Sequence, residues 1–545
     1  MRPVNGGGNE KTAIACAVGL AIVSFYLVYT QYYNRTPSSL SIAIKANITA
    51  QTIDDYRSLF RAVDENGKTV CSAGFQRGGQ TYRNLNPRIL EVYCRPDSEQ
   101  TKIVDLGKPT SDSWRPSLVV LDNKIVDLTS STAWDGKRWT RADMASSENA
   151  IPLADGLLEF RHATESEPPT VSYKNETVIQ FPGYTLSSGT YYRGKLYVAL
   201  APVGGEEHSI LAVCAWGLGQ SCNPTTFALP DGNRMVYSMI GYDVQILIGG
   251  SGMLMRFDGE KAFVLHQNPV FEYYSFLVFR NSILVGTFPR GFLYEISPTD
   301  WSVKDIEAPP NGVDGFQNHE QFETATLDYL NKIGEPYYRE AQSLALMGGR
   351  VFVGMYPWGD VWERGHGGEW TSIDLVDPGA KRNQLPWPYF EEMQQRIQAM
   401  KADPRSASND KWLLDAFWAR RIHSLVPSPY GLAAGIGNLS GRAYDPERDT
   451  FMSKNDIDLY GRVKLLQRPM SVFAQVAETG RTTLSFTIDR SGIRIAQDKK
   501  TIADAKMPIS DDILDKISSV VIGAGVYGKT ASSLLTTTRL SYVGD

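Results

Sequence analysis

The chain is poor in the residues that mark metal and thiol chemistry: its 545 residues include 5 Cys and 6 His. The histidines, His162, His208, His266, His319, His366 and His423, are scattered, with no H-x-x-x-H or related ligand spacing. No C-x2-C pair occurs, so no zinc site and no other metal site is expected. Asp445, Glu447 and Asp449 do not have the spacing of an EF-hand loop. A P-loop, a G-x-G-x-x-G after a strand and a G-x-S-x-G elbow are also missing, so no nucleotide cradle, cofactor or nucleophilic triad is expected. Neither charge sign is in large excess: Lys+Arg is 55 and Asp+Glu 60, a net charge of −5. Nothing here points to a nucleic-acid partner.

What is abundant points elsewhere. There are 48 Gly, 29 Pro and 27 Tyr, which favours a turn-rich β protein over a helical one. A 42% apolar, 21% charged composition is that of a globular chain. At roughly 100–200 residues per domain the length allows about three domains, or one large repetitive domain and a small one.

One run is long, apolar and uncharged, from Thr12 to Thr30. At about 1.5 Å per residue it nearly spans a ~30 Å hydrocarbon core. Tyr26, Tyr29, Tyr32 and Tyr33 cluster at its end, as in an interfacial belt. It reads as an uncleaved signal anchor, with a cytoplasmic tail at 1–11, a membrane span at 12–30 and the remainder extracytoplasmic. A cleaved signal peptide is the alternative. Cys16 lies in this run. The other cysteines form two sequence-local pairs, Cys71 with Cys94 and Cys214 with Cys222, which an oxidising compartment would join. Other pairings, or free thiols, remain open at this stage. N-x-S/T sequons at Asn34, Asn47, Asn175 and Asn438 permit glycosylation.

The middle of the chain repeats itself. Segments starting at Leu118, Tyr184, Met235, Tyr274, Ala341 and Ile422 share one grammar. An apolar strand meets a two-residue turn, such as Asp122-Asn123, Arg193-Gly194 or Gly348-Gly349. A second strand then ends at Gly or Ala, as in QILIGG, SILVGT and RVFVGM. A loop containing Gly leads to a third strand bearing an aromatic, and several copies add a fourth. Such antiparallel four-stranded meanders, repeated, predict a β-propeller over 116–455, with six blades. Five or seven blades stay open, because the β-rich segment 36–115 has room for a degenerate one. Helical insertions are expected near 318–333 and 386–421, both just before a first strand. Residues 456–545 lose Trp, gain Ser and Thr, and read as short strands of a β-sandwich, to which 36–115 would add strands.

The overall class is therefore all-β: a propeller, a small sandwich and one N-terminal transmembrane helix. Within the C-terminal part, VVIGAG and then RLSYV resemble the tail of a concanavalin-like (laminin-G-like) sandwich. Extracytoplasmic propellers joined to such sandwiches resemble sialidase-like or kelch-like proteins. This chain lacks the S-x-D-x-G-x-x-W boxes and the Arg-Ile-Pro start of sialidases; Ser131 to Trp139 has the wrong order. The resemblance implies a carbohydrate ligand.

Residues placed by the repeat at the loop-bearing end of the channel are the candidate site. Arg290, Tyr356, Trp358, Arg421 and His423 would contact a ligand, aromatics stacking on sugar and Arg forks pairing with acidic groups. Glu340 and Asp360 are the candidate catalytic carboxylates, with Glu272 in reserve, since glycosidases need two about 5–10 Å apart. The expected function is a surface recognition module for a glycan or protein partner. A glycan-cleaving enzyme and a structural subunit of an assembly are the alternatives, and an oligomer is open.

Overall fold

The computed structural model describes residues 39–543, apart from 307–339, 376–419, 439–457 and short stretches at 82, 96–99, 145–148, 154–155, 165–166, 204–207, 219, 232–234, 289–290, 357–358 and 374. The expected membrane span at 12–30 and insertion helices near 318–333 and 386–421 fall outside these residues. No helix among the described residues is long and apolar enough to cross a membrane.

Strands dominate. Among the described residues, seven antiparallel meanders follow one another. They begin with inner strands Leu118–Leu121, Ala150–Leu153, Tyr184–Tyr192, Val236–Tyr242, the second half of Ala262–Phe279, Glu340–Met347 and Arg421–Ser428. The fourth and fifth run together as one sheet, because Gln245–Phe257 and Ala262–Phe279 each serve twice, bending near Gly252 and before Glu272. Inner strands pack beside one another around a ring, except that the second meander meets Tyr184–Tyr192 through its second strand, Gly156–Arg161; the seventh packs beside the first and closes the ring. The architecture is propeller-like.

The turns follow the expected chemistry. Asp122 and Asn123, Arg193 and Gly194, and Gly348 and Gly349 all have positive φ, the geometry of the tightest hairpins. The Gly at the end of the second strand has a packing reason. Ser238, Ser275, Ser343 and Ser424 on inner strands pair with Gly249, Gly286, Gly354 and Gly435. Each serine hydroxyl donates to a carbonyl of the next inner strand: Tyr273 at 3.4 Å, Ala341 at 2.9 Å, Ile422 at 3.1 Å and Pro116 at 3.0 Å. A Cβ on the paired glycine would collide there; on Gly435 it would sit 2.9 Å from the Pro116 carbonyl oxygen. Neighbouring meanders are thus locked backbone to backbone.

Two details differ from the sequence reading. A meander at Ala150–Leu153, Gly156–Arg161, Thr170–Tyr173 and Glu176–Gln180 has no counterpart among the six sequence copies. It lacks the Ser–Gly pair of the four copies that begin at Met235, Tyr274, Ala341 and Ile422. The third strand of the last meander is Val463–Gln467, beyond the expected propeller boundary at 455, and the fourth is Lys102–Asp105 from early in the chain. Pairing decides this: the Ala433–Leu465 and Leu466–Ile103 registers place both strands in the propeller, closing its ring between distant parts of the sequence.

The remaining strands make two five-stranded sheets that pack face to face. One contains Ser39–Ile48, Gly480–Asp489, Gly492–Gln497, Lys500–Lys506 and Thr536–Val543; the other contains Ser58–Val63, Thr69–Phe75, Ile89–Cys94, Ser471–Gln475 and Ser519–Ile522. Leu40, Ile42 and Ile44 of the first and Phe60, Ala73 and Val92 of the second share one core, and Phe60 meets Phe486 at 5.2 Å across it. The N- and C-terminal segments therefore complete one sandwich. Just past the end of Ser39–Ile48, Arg193 on a propeller turn donates to Asp55, 2.6 Å.

Both expected disulfides, Cys71–Cys94 and Cys214–Cys222, are formed. Cys71 and Cys94 face each other on paired strands, at the root of the segment described next. Closing 23 residues should stabilise the fold by about 3 kcal/mol in a chain-entropy model. Urea unfolding of a Cys71→Ala/Cys94→Ala variant should show a loss of that size, and an unchanged midpoint would contradict it.

Candidate functional site

Between the second and third strands of one sandwich sheet, residues 76–88 leave the sandwich and enter the propeller channel. The segment reads QRGGQTYRNLNPR, polar and with two adjacent glycines. Gly78 and Gly79 pair with Leu277 and Phe276 of the fifth inner strand. That approach leaves no room for a side chain: a Cβ on Gly78 would lie 2.7 Å from the Phe276 carbonyl oxygen.

Its polar side chains answer the other inner strands. Gln76 accepts from the Leu346 amide at 2.8 Å and Gln80 from the Leu425 amide at 3.3 Å. Asn86 donates to the Val120 carbonyl, 2.7 Å, and Arg88 to that of Pro152, 3.0 Å. Asn84 meets the Thr190 hydroxyl at 2.6 Å and, with its amide turned to satisfy both atoms, donates to Met239 at 2.9 Å. The segment thus touches all seven inner strands and plugs the channel. The sandwich covers the end where first and second strands are joined, the turn face; the opposite, loop face carries the candidate residues.

At the loop face the inner strands share an irregularity. The pairing skips one residue just before the locking serine, leaving Tyr237, Tyr274, Gln342 and His423 as bulges in four successive meanders. Tyr237 and Tyr274 meet edge to face at 4.7 Å, and the Tyr274 hydroxyl donates to Glu272. Arg83, near the tip of the plug, donates to the Ser117 hydroxyl at 2.7 Å and meets His423 Nε2 at 3.0 Å. Arginine can only donate, so Nε2 accepts and the His423 proton sits on Nδ1. That nitrogen faces the Gln342 amide, 3.5 Å away.

Three candidates come together. Arg421 donates to Glu340 at 2.5 Å and its guanidinium lies 5.3 Å from the centre of the Tyr356 ring. Glu340, Arg421, Tyr356 and His423 are all buried. Asp360 is buried as well, its backbone carbonyl accepting from the Met355 amide at 2.8 Å. Glu272 and Tyr237 are only half-buried. Arg290 and Trp358 lie outside the described residues.

Electrostatics follow from burial. Burial, then Glu340 and Glu272, push the Tyr274 phenol well above its ordinary value. Burial alone would lower Arg421, but Glu340, Tyr274 and Tyr356 raise it instead. Burial, then Arg83, Arg115 and Arg421, hold His423 well below the usual imidazole range. An unfolded histidine takes up a proton near pH ~6.5, which folded His423 resists. Stability is therefore complete above that pH and declines below it, by up to about 1.4 kcal/mol per unit. Urea midpoints measured between pH 7.5 and 5 (about 2.5 units spanning the titration) should fall with acid, and His423→Gln should flatten the slope.

Of the expected catalytic pair, Glu340 is ion-paired with Arg421 inside the protein. Sequence reasoning also missed the plug; its signal was a polar Gln/Arg/Asn run around Gly-Gly between two strands. Of the sequons, Asn47 and Asn175 are exposed, whereas Asn438 has no exposed surface and offers a glycan no room. Asn34 lies outside the described residues. Among the described residues no group of three His, Cys, Asp or Glu is placed to hold a metal.

No family model matches the chain, and no curated protein does. Solved structures similar to it include the β-propeller domain of Swd1 from Myceliophteria thermophila, with 11% identity over 49% of this chain and 89% of that one, TM-score 0.29. Others are virginiamycin B lyase from Staphylococcus aureus, 9% identical over 52% and 77%, TM-score 0.27, and Trypanosoma rangeli sialidase, 9% identical over 81% and 95%, TM-score 0.26. Likenesses this distant carry no activity over to the chain.

Proposed function

We propose that the protein is a membrane-anchored, extracytoplasmic recognition module. In this reading it is a seven-bladed propeller carried on a concanavalin-like sandwich, and it binds a surface glycan at its loop face. The plug is the observation that supports this most. It fills the channel and the sandwich covers one end, so ligands are left the loop face. There, half-buried Tyr237 and Glu272 offer an aromatic surface and an acceptor next to one another. Two disulfides suit an oxidising compartment. Cleavage of the glycan has less support, because Glu340 is consumed by Arg421.

The test is incubation of the full chain with neutral, sialylated, sulfated and uronic-acid glycans, read by mass spectrometry. Retention of one class without new products, lost in Tyr237→Ala and Glu272→Ala, is expected. Shorter products would replace this reading with the hydrolase. Neither retention nor products would leave a protein partner as the ligand.

A further inference from the structure

The seventh meander meets the sandwich at a half-open groove of about 290 Å³. The hairpin turn at Pro429 and Tyr430 forms one side, and the link from Gln467 to Ser471, where the chain passes from propeller to sandwich, forms another. Ser471–Gln475 and Lys500–Lys506 are each the last strand of their sheet, so the remaining side is an open edge of the sandwich, where Phe473, Ala505 and Met507 stand. Tyr430 is held in place. Its ring lies against Gly136 of the first meander, where an added Cβ would stand 2.9 Å away, and its carbonyl accepts from the Gln467 amide at 2.9 Å.

The walls are largely apolar, and the polar groups among them are engaged, with one exception. Arg468 is buried on Glu363 at 2.6 Å. The Ser471 hydroxyl donates to Glu91, and its amide to the Arg468 carbonyl at 3.2 Å. The exception is Lys102, which faces Gln467 on the outermost strand of the meander, is exposed, and pairs with no carboxylate among the described residues. No Asp or Glu among the described residues lines the groove. The site therefore offers apolar surface and a single uncompensated positive charge.

An extended peptide suits it less. The Cys94 amide donates to Met470 at 2.9 Å and the Val476 amide to Arg88 at 3.0 Å, which fixes the alternation along this edge strand. Ser471, Phe473 and Gln475 then turn their backbone groups away from the sheet. Ser471 and Phe473 line the groove, and Ser471 has spent its amide, so Phe473 alone has an N–H to give. One donor is too little to template an added strand. The volume sits near the lower end of the ~300–1,000 Å³ of small-molecule pockets.

We propose that this groove binds a small apolar carboxylate. Its body packs against Tyr430 and Met507, and its charge meets the Lys102 ammonium, a compact charge on a flexible stem. The site lies beside the turn face, away from the loop face, and does not rest on the glycan reading.

Isothermal titration calorimetry of the full chain with 2-naphthoate, and separately with its uncharged counterpart 2-naphthamide, tests it. One site with a dissociation constant below about 1 mM is expected for naphthoate, with the amide roughly tenfold weaker. Lys102→Glu should abolish naphthoate binding and leave naphthamide within about twofold, whereas Lys102→Arg should keep both. Ala505→Phe, which fills the groove, should remove both ligands, and Lys500→Ala, on the same strand but outside the lining, neither. Urea midpoints show that each variant is folded; the Lys102 variants, changed at an exposed position, decide the matter if Ala505→Phe is not. Equal affinity for naphthoate and naphthamide, naphthoate binding unchanged in Lys102→Glu, or no saturable heat from the parent protein would overturn the proposal.

Discussion

Glu340→Ala should lose about 3–5 kcal/mol of stability, because it strands the Arg421 charge in a buried site. Both partners are almost fully enclosed, at 4% and 6% exposure, so water cannot take over the role of the carboxylate. The contrast that decides the interpretation is the double variant Glu340→Leu/Arg421→Met. Removing both charges and filling the space should restore stability to within about 1 kcal/mol of the parent, since well-packed apolar pairs commonly match buried ion pairs. Guanidinium denaturation of the full chain measures both. A catalytic Glu340 would add a second readout: Glu340→Gln would abolish product formation.

Gly286→Ala should be among the most damaging changes of a single methyl group in the propeller. Its Cβ would collide with the Ala341 carbonyl and the Ser275 hydroxyl, both part of the lock between the fifth and sixth inner strands. Backbone cannot rotate away as a side-chain tip can, so the cost should reach about 3 kcal/mol, the upper end for overpacking. Ser275→Ala, which removes the hydrogen bond and keeps the space, should cost only about 1 kcal/mol. A Gly286→Ala protein with an unchanged denaturation midpoint would show that the inter-strand spacing is looser than described.

How much of this was legible beforehand depended on whether a feature is local. The hairpin turns and the strand-ending glycines are short-range signals, and they located six of the seven meanders. The Ala150–Gln180 meander escaped because Pro152 sits inside its first strand, where a proline reads against a strand. Val463–Gln467 was misplaced, and Lys102–Asp105 was left open between sandwich and blade, because nothing within either strand names a partner some 360 positions away. Cys71 and Cys94 were correctly paired by proximity in sequence. The candidate site was half legible: Glu340, Arg421, Tyr356 and His423 do gather at one end. Sequence could not show that they face one another in the interior, or that Arg83 rises to meet them from a different domain.

The sandwich lies flat on the propeller. Ile89, Tyr93 and Phe473 of one sheet share a core with Leu346, Val351 and Leu432 of the propeller, while Leu90, Val92 and Ala474, alternate residues of the same strands, face the other sheet. One sheet is thus the common wall of two cores, and neither unit can turn against the other without opening both.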